Sequence, residues 1–320
     1  MRELNAAQAR QYIDALAVFE AHEEAQSQAD QLRGGMYWHK GPARAPESSY
    51  LIRTQTGGGE KSLGPRNPET EQIYQQFQDR KAASSARLSA LKAKLTEQQR
   101  LNRALRVGRV DPLVVGVLDR LAHTHLQSYF RVVGTHALYA YEAAAGVMVD
   151  SDAVATRDID LLWDVRRRLR FATALARVDS SMLGVLQKVD PSFRIRSLQR
   201  YTAVNQDGFE VDILRRMQAG DDPHPLRLSD DEDDFWVTQA RRAQVLMDSP
   251  PFSAVIVASN GRMARMKTLH PVAFIQFKRW MSELPERDPL KRRRDALQAS
   301  VTETLLQHYL PHLKTLGATP

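Results

Sequence analysis

The chain has 320 residues, 42% hydrophobic and 26% charged, enough to bury a full core and, at roughly 150 residues per domain, to form about two domains. It has no cysteine, which excludes disulfides, thiolate zinc sites and cysteine nucleophiles, and it lacks an apolar run of roughly 18 residues that could span a membrane. Its net charge of +7 is uneven, +5 over 1–110, +1 over 111–219, −5 over 220–259 and +6 over 260–320, so the basic ends suit the phosphates of a nucleotide or of RNA, with an unevenly charged surface as the plainer alternative.

The first residues, Met-Arg-Glu-Leu-Asn-Ala-Ala-Gln, lack the apolar stretch of a signal peptide, and the expected location is the cytoplasm. Residues 3–32, rich in Ala, Gln and Glu, read as a helix closed by Gly34-Gly35. Residues 36–40 and 50–54 read as two short strands among loops of Gly, Pro and Ser. Asn67 before Pro68, with Glu69 and Glu71 following, marks a helix start. Ile73, Phe77, Leu88, Leu91, Leu95 and Leu105 carry that helix for about ten turns at most, to near Gly108. It is expected to pair with the first helix as an antiparallel arm. Trp38, Tyr37 and Tyr50, with Lys40 and Arg53, offer either a base-stacking platform for RNA or, the favoured reading, aromatics that pack a small hairpin on its neighbour.

Asp111-Pro112 opens a helix to about residue 125, followed by a strand at 131–133, a Gly134-Thr135 turn and a helix at 136–145. A loop through Gly146 and Asp150 leads to a strand at 156–163. Helices fill 165–187, and strands follow at 193–196 and 201–204. Asp207-Gly208 is a hairpin signal before a strand at 209–214. Residues 219–234, including the acidic run 230–234, read as a solvated linker or loop. A hairpin around Asn260-Gly261 and two helices, 271–284 and 288–313, close the chain. The nine histidines have no metal-ligand spacing, so zinc is not expected. The expected fold class is α+β: a helical arm with a β insertion (1–110), a core of a small mixed sheet with helices (111–218) and a mostly helical C-terminal region (219–320).

The informative stretch is Arg157-Asp158-Ile159-Asp160-Leu161-Leu162-Trp163. On a strand alternate side chains share a face, so Asp158 and Asp160 point one way, about 6–7 Å apart, and Ile159 and Leu161 the other. Adjacent carboxylates repel each other and resist burial, a penalty that a hard divalent cation reverses. In Phe209-Glu210-Val211-Asp212-Ile213-Leu214, Asp212 faces away from Phe209, Val211 and Ile213. If this strand neighbours the first, three carboxylates converge to hold two metals about 3.5–4 Å apart. Gly134-Thr135, between an apolar strand and a helix, lets the backbone approach a phosphate, and Thr135 can cap the helix or donate to the phosphate.

Together, Val-Gly-Thr, Arg-Asp-Ile-Asp-Leu and Val-Asp-Ile resemble the DNA polymerase β-like nucleotidyltransferase superfamily over about 131–214. Val-Gly-Thr-His-Ala-Leu-Tyr-Ala-Tyr-Glu, Lys-Ser-Leu-Gly-Pro-Arg and Leu-Lys-Arg-Arg-Arg-Asp-Ala-Leu-Gln-Ala extend the resemblance, over about 34–310, to a bacterial family with that fold. The resemblance implies transfer of a nucleotidyl group from an NTP to an acceptor, with Mg²⁺ or Mn²⁺ and release of pyrophosphate. Asp158 and Asp160 would hold both metals, Asp212 would bind the catalytic metal and help deprotonate the acceptor hydroxyl, and Gly134 and Thr135 would meet the triphosphate. Gly-Thr replaces the commoner Gly-Gly or Gly-Ser, and the stretch from Gly134 to Asp158 is longer than usual.

The last two helices are similar, more weakly, to those of abortive-infection nucleotidyltransferase toxins. Lys278, beside the apolar Phe274 and Ile275, would contact the triphosphate or simply snorkel from a buried helix. Asp295, closing Lys291-Arg292-Arg293-Arg294, would partner Lys278 or end an exposed basic turn. The leading expectation is a nucleotidyltransferase acting on RNA, tRNA or protein. The rivals are a toxin of the same chemistry that blocks translation, and a nucleic-acid-binding or scaffold protein on an idle nucleotidyltransferase fold. No membrane partner is expected, and the oligomeric state is open.

Overall fold

The computed structural model describes residues 1–40, 48–54, 59–154, 156–178, 180–220, 222, 226–229, 231 and 233–314. The Gly/Pro/Ser loops expected at 41–47 and 55–58, and Asp230 and Glu232 of the acidic run, lie outside the described residues. The chain divides into two compact units, one of Gln11–Leu101 and one of Met1–Arg10 with Asn102–Pro320.

After a short strand β1 (Arg2–Glu3), helices α1 (Ala6–Gln31) and α2 (Pro68–Ala104) supply most of the first unit. Within it they run antiparallel: Gln11 Nε2 donates to Gln98 Oε1 at 2.8 Å, and Arg87 donates to Gln28 Oε1 at 2.9 Å. Asn67 caps α2 by accepting from the Thr70 N–H at 2.8 Å. Between the helices, β2 (Met36–Lys40), β3 (Ser49–Thr54) and β4 (Glu60–Pro65) form an antiparallel sheet in that order. The third strand was not expected: Glu-Lys-Ser-Leu-Gly-Pro has no apolar alternation, and its extension comes from backbone pairing with β3. Trp38 packs on Tyr74, ring centroids 5.8 Å apart, and is covered by Arg66, while Tyr37 bonds Glu60. The aromatics thus pack within their own unit.

The second unit begins with α3 (Pro112–His123), capped by Asp111, whose carboxylate accepts from the Leu113 N–H. Strand β5 (Phe130–Val133) follows, then a tight turn over Gly134–His136 and α4 (Ala137–Ala145). The stretch read as a loop contains β6 (Val147–Met148), which pairs with β1, and one helical turn, α5 (Ser151–Val154). Strand β7 (Asp158–Trp163), helices α6 (Arg168–Ala176) and α7 (Met182–Gln187), and strands β8 (Arg194–Arg196), β9 (Gln199–Val204) and β10 (Glu210–Arg216) complete the middle of the chain. Next come β11 (Leu226–Arg227), β12 (Trp236–Ala240) and α8 (Ala243–Asp248). The hairpin β13 (Pro251–Val257) and β14 (Met263–Leu269), then α9 (Pro271–Glu283) and α10 (Pro289–His308), close it.

The main sheet runs β11-β12-β10-β7-β5, with β9 also on β10 and β8 on β9. Strand β10 is parallel to β7 and β12 and antiparallel to β9, and β5 is antiparallel to β7. This is the expected α+β class with a mixed sheet.

Two stretches differ from expectation. The region read as a solvated linker leads into β12, and Asp234 of its acidic run is fully buried. Its carboxylate accepts from the Met182 and Leu183 N–H groups at 3.0 and 2.9 Å and from Ser229 at 2.7 Å. A carboxylate whose two oxygens share three donors satisfies the burial rule that a bare charge run violates. Leu162, on the carboxylate face of β7, is also buried, against Val133, Leu246 and Leu269. The strand is therefore covered on both faces at its far end, as parallel strands commonly are.

Candidate active site

Strand β7 buries Ile159, Leu161 and Trp163 in the principal core and turns Asp158 and Asp160 to the opposite face, where both are half-buried. Strand β10 does the same with Val211 and Ile213 against Asp212. The parallel register sets Asp212 beside Asp160 and Glu210 beside Asp158. Residues side by side on adjacent strands share a face, so the three expected carboxylates stand in one row. Glu210 is a fourth member that the sequence reading passed over. Its signal was present, since Glu-Val-Asp repeats the spacing of Asp-Ile-Asp.

Each outer carboxylate is engaged. Thr156 donates to Asp158, Arg196 pairs with Glu210, and buried Thr202 on β9, opposite Asp212, donates to it at 2.5 Å. Burial, then the charges of Asp158 and Asp212, push the Asp160 carboxyl up to about 7, against the opposing pull of Lys278 and Arg287. Burial raises Asp212 too, with the Thr202 hydrogen bond opposing and the Asp158 and Glu210 charges adding. Hard oxygen donors that repel one another are the donor chemistry of a divalent cation site. Among the described residues, no three His, Asp or Glu side chains are drawn together closely enough to hold a metal. By donor chemistry and by their shared face Asp158, Asp160 and Asp212 nevertheless suit a hard cation, with Asp158 and Asp212 at present engaged by the hydroxyls of Thr156 and Thr202.

Gly134 lies directly against this row. It has φ +70°, and a Cβ there would stand 2.2 Å from Oδ2 of Asp160. Val133, the residue before it, is paired with Asp160 across β5 and β7. Glycine is needed for the backbone conformation and for the closeness. Thr135 is buried and does not cap α4, whose start has no side-chain cap. Its Oγ1 instead accepts from Gln298 Nε2 at 3.1 Å, and the same amide donates to the Ala153 carbonyl at 2.7 Å. Gln298 is fully buried and its Oε1 has no partner. His136 is buried behind the turn, and desolvation lowers its pKa to about 4, so its ring is neutral near pH 7.

Lys278 and Asp295 meet in the interior. Lys278 Nζ donates to Asp295 Oδ1 at 2.8 Å, and Arg287 donates to the other oxygen. Both members of the first pair are buried, Asp295 completely. Burial lowers the Lys278 pKa, while Asp295 and then Asp160 act to hold its charge. The structure thus brings Lys278 and Arg287 within electrostatic range of Asp160, and Asp295 holds both of them. Asp295 is the buried end of a run in which Lys291 and Arg293 are exposed and Arg292 and Arg294 half-buried. Arg287 and Gln298 were not anticipated: one lies in the α9–α10 turn, the other one helical turn beyond Asp295.

A family model described as Nucleotidyltransferase matches residues 113–318. No curated protein and no solved structure matches the chain. Among the described residues, no helix is long and apolar enough to cross a membrane.

Proposed function

The chain belongs to the nucleotidyltransferase family, and we propose that it transfers a nucleoside monophosphate from an NTP to a hydroxyl acceptor, with Mg²⁺ or Mn²⁺ and release of pyrophosphate. One observation carries the reading: β7 and β10 lie parallel in the register that sets Asp212 beside Asp160, with Gly134 against the same carboxylate. Asp158, Asp160 and Asp212 would hold the cations, which when bound neutralise charge on the triphosphate and at the developing oxyanions. The acceptor oxygen forms a bond to the α-phosphorus, and the bond from that phosphorus to the α,β-bridging oxygen breaks. Asp212, beside Asp160 in the register of β7 and β10, takes the acceptor's proton. Thr135 accepts from Gln298, which leaves its own O–H to donate to a phosphate beside the Gly134 turn. Lys278 and Arg287, set by Asp295, place positive charge on the same side.

Residues 111–218 would be the catalytic core, 1–110 an arm and 219–320 the region that supplies Lys278 and Asp295. The acceptor is a macromolecule, RNA, tRNA or protein, which the positive charge of both chain ends would attract. The buried Lys278–Asp295 pair favours a toxin of the abortive-infection kind, in which case expression of the unaltered chain arrests growth and Asp158→Ala does not. The alternative is a nucleic-acid-binding or scaffold role on an idle nucleotidyltransferase fold. That reading requires calorimetry to show tight RNA binding and no Mg²⁺-NTP binding.

The deciding experiment incubates the protein with each α-³²P-NTP and a total cell extract. Label should enter RNA or protein with the unaltered chain, and Asp160→Asn and Asp212→Asn should abolish it with the circular dichroism unchanged. Retained labelling in either variant refutes the assigned roles.

A further inference from the structure

Thr202 is almost wholly buried, 1% exposed, on β9, where the antiparallel register sets it opposite Asp212. Asp160 flanks Asp212 from the other side, on β7. Thr202, Asp212 and Asp160 therefore lie in line across three neighbouring strands and share one face of the sheet. We propose that Thr202 is a positioning residue for the cation site, its hydroxyl fixing the Asp212 carboxylate in the orientation that holds a divalent cation. The proposal rests on the assignment of Asp212 to that site and adds the group that sets it.

Threonine at this position has a chemical reason. A buried hydroxyl costs free energy unless it is hydrogen-bonded, and valine, with the same branched shape, would suit the strand equally well. Here the hydroxyl donates to Oδ1 of Asp212 at 2.5 Å. The terminal torsion of an aspartate is broad, and the charge of Asp160 repels the neighbouring carboxylate, so Asp212 without a fixed donor would hold no single orientation. Bound through Oδ1 from the side away from Asp160, it keeps its second oxygen for a cation or for the proton of an acceptor.

The other carboxylate of β10 is treated differently. Glu210, two residues before Asp212, carries an ion pair with Arg196 of β8. A guanidinium neutralises the carboxylate it binds and competes with a cation for its oxygens. A hydroxyl orients a carboxylate and leaves its charge intact. One hairpin, β8 with β9, thus gives Glu210 a counter-charge and Asp212 a neutral donor, which separates the carboxylate left available to a cation from the one withdrawn from it. Groups that orient a ligating side chain change metal affinity by about 10–100-fold when they are removed.

The test measures Mn²⁺ binding to the full-length protein from the electron paramagnetic resonance signal of free Mn²⁺, and nucleotidyl transfer at saturating Mn²⁺. Thr202→Val should weaken Mn²⁺ binding by about tenfold or more and lower kcat with the KM for NTP unchanged. Thr202→Ala should behave alike. Thr202→Ser, which restores the hydroxyl, should return Mn²⁺ affinity and kcat to near those of the unaltered chain. Unchanged Mn²⁺ affinity in Thr202→Val and Thr202→Ala, failure of Thr202→Ser to restore it, or an unaltered chain that binds no Mn²⁺ would overturn the proposal. Mn²⁺ affinity that follows the hydroxyl in a chain that transfers no nucleotide would refute the transferase reading and leave this one standing.

Discussion

Gly134 and Asp160 are in such close contact that the space of a single methyl group separates a formed site from a broken one: a Cβ on Gly134 would lie 2.2 Å from the Asp160 carboxylate oxygen. Gly134→Ala must therefore move that carboxylate or the turn, and it also forces alanine to φ +70°, at about 1–2 kcal/mol. Nucleotidyl transfer should fall by about 100-fold, with a loss of about 2–3 kcal/mol in urea unfolding. Activity close to that of the unaltered chain would mean that Asp160 is not where the chemistry occurs.

His136 and Asp160 bias stability in opposite directions across one pH window. Between about 4 and 6.5, folded Asp160 keeps a proton that the unfolded chain has lost, because its pKa is raised to about 7. In the same window folded His136 lacks a proton that the unfolded chain holds, because its pKa is lowered to about 4. The first effect makes stability fall as pH rises and the second makes it rise, so the pair nearly cancels. Asp160→Asn removes the first effect alone. Chemical denaturation of the variant across that window should show stability rising with pH more steeply than in the unaltered protein, by about 1.4 kcal/mol per pH unit. Parallel curves would exclude this compensation.

Asp295 serves two cations, Lys278 and Arg287, so its loss should be worse than the loss of either partner. Asp295→Asn leaves a buried ammonium and a guanidinium facing a neutral amide, and should cost about 3–5 kcal/mol. Lys278→Met removes one buried charge and leaves the carboxylate with Arg287, so it should cost less while still lowering transfer. Urea midpoints of the two variants, compared at one pH, check the order.

Gln298 and Thr135 should be energetically coupled. Each single replacement, Gln298→Leu or Thr135→Val, breaks the hydrogen bond between them, and Gln298→Leu also frees the Ala153 carbonyl. A double-mutant cycle should give an interaction energy of about 0.5–1.5 kcal/mol in stability. Additive losses would show that the contact contributes nothing net.

The alternation of Ile159, Leu161 and Trp163 against Asp158 and Asp160 was legible because a strand's period is local. The same rule placed Asp212, and applied once more would have found Glu210. Which edges β7 and β10 share is a matter of tertiary packing; three carboxylates on two strands distant in the chain prompted the expectation without fixing the register. Strand β4 escaped because its only signal is backbone pairing with β3. Asp234 looked solvated within its acidic run, since nothing in that run shows that the N–H groups of Met182 and Leu183 need an acceptor. Thr135 resembled a helix cap because its acceptor role toward Gln298 depends on a helix that begins more than 150 residues later.

Asp295 and Gln298 sit three residues apart on α10, the one holding Lys278 and Arg287, the other holding Thr135 and the Ala153 carbonyl. That single helix is thus a crossbar between the acidic strands' counter-charges and the glycine turn. A shortened protein that stopped after β10 would retain every aspartate of the recognisable motif and yet lose the brace that keeps its two halves in step. Minimal fragments chosen by motif alone should accordingly be inert.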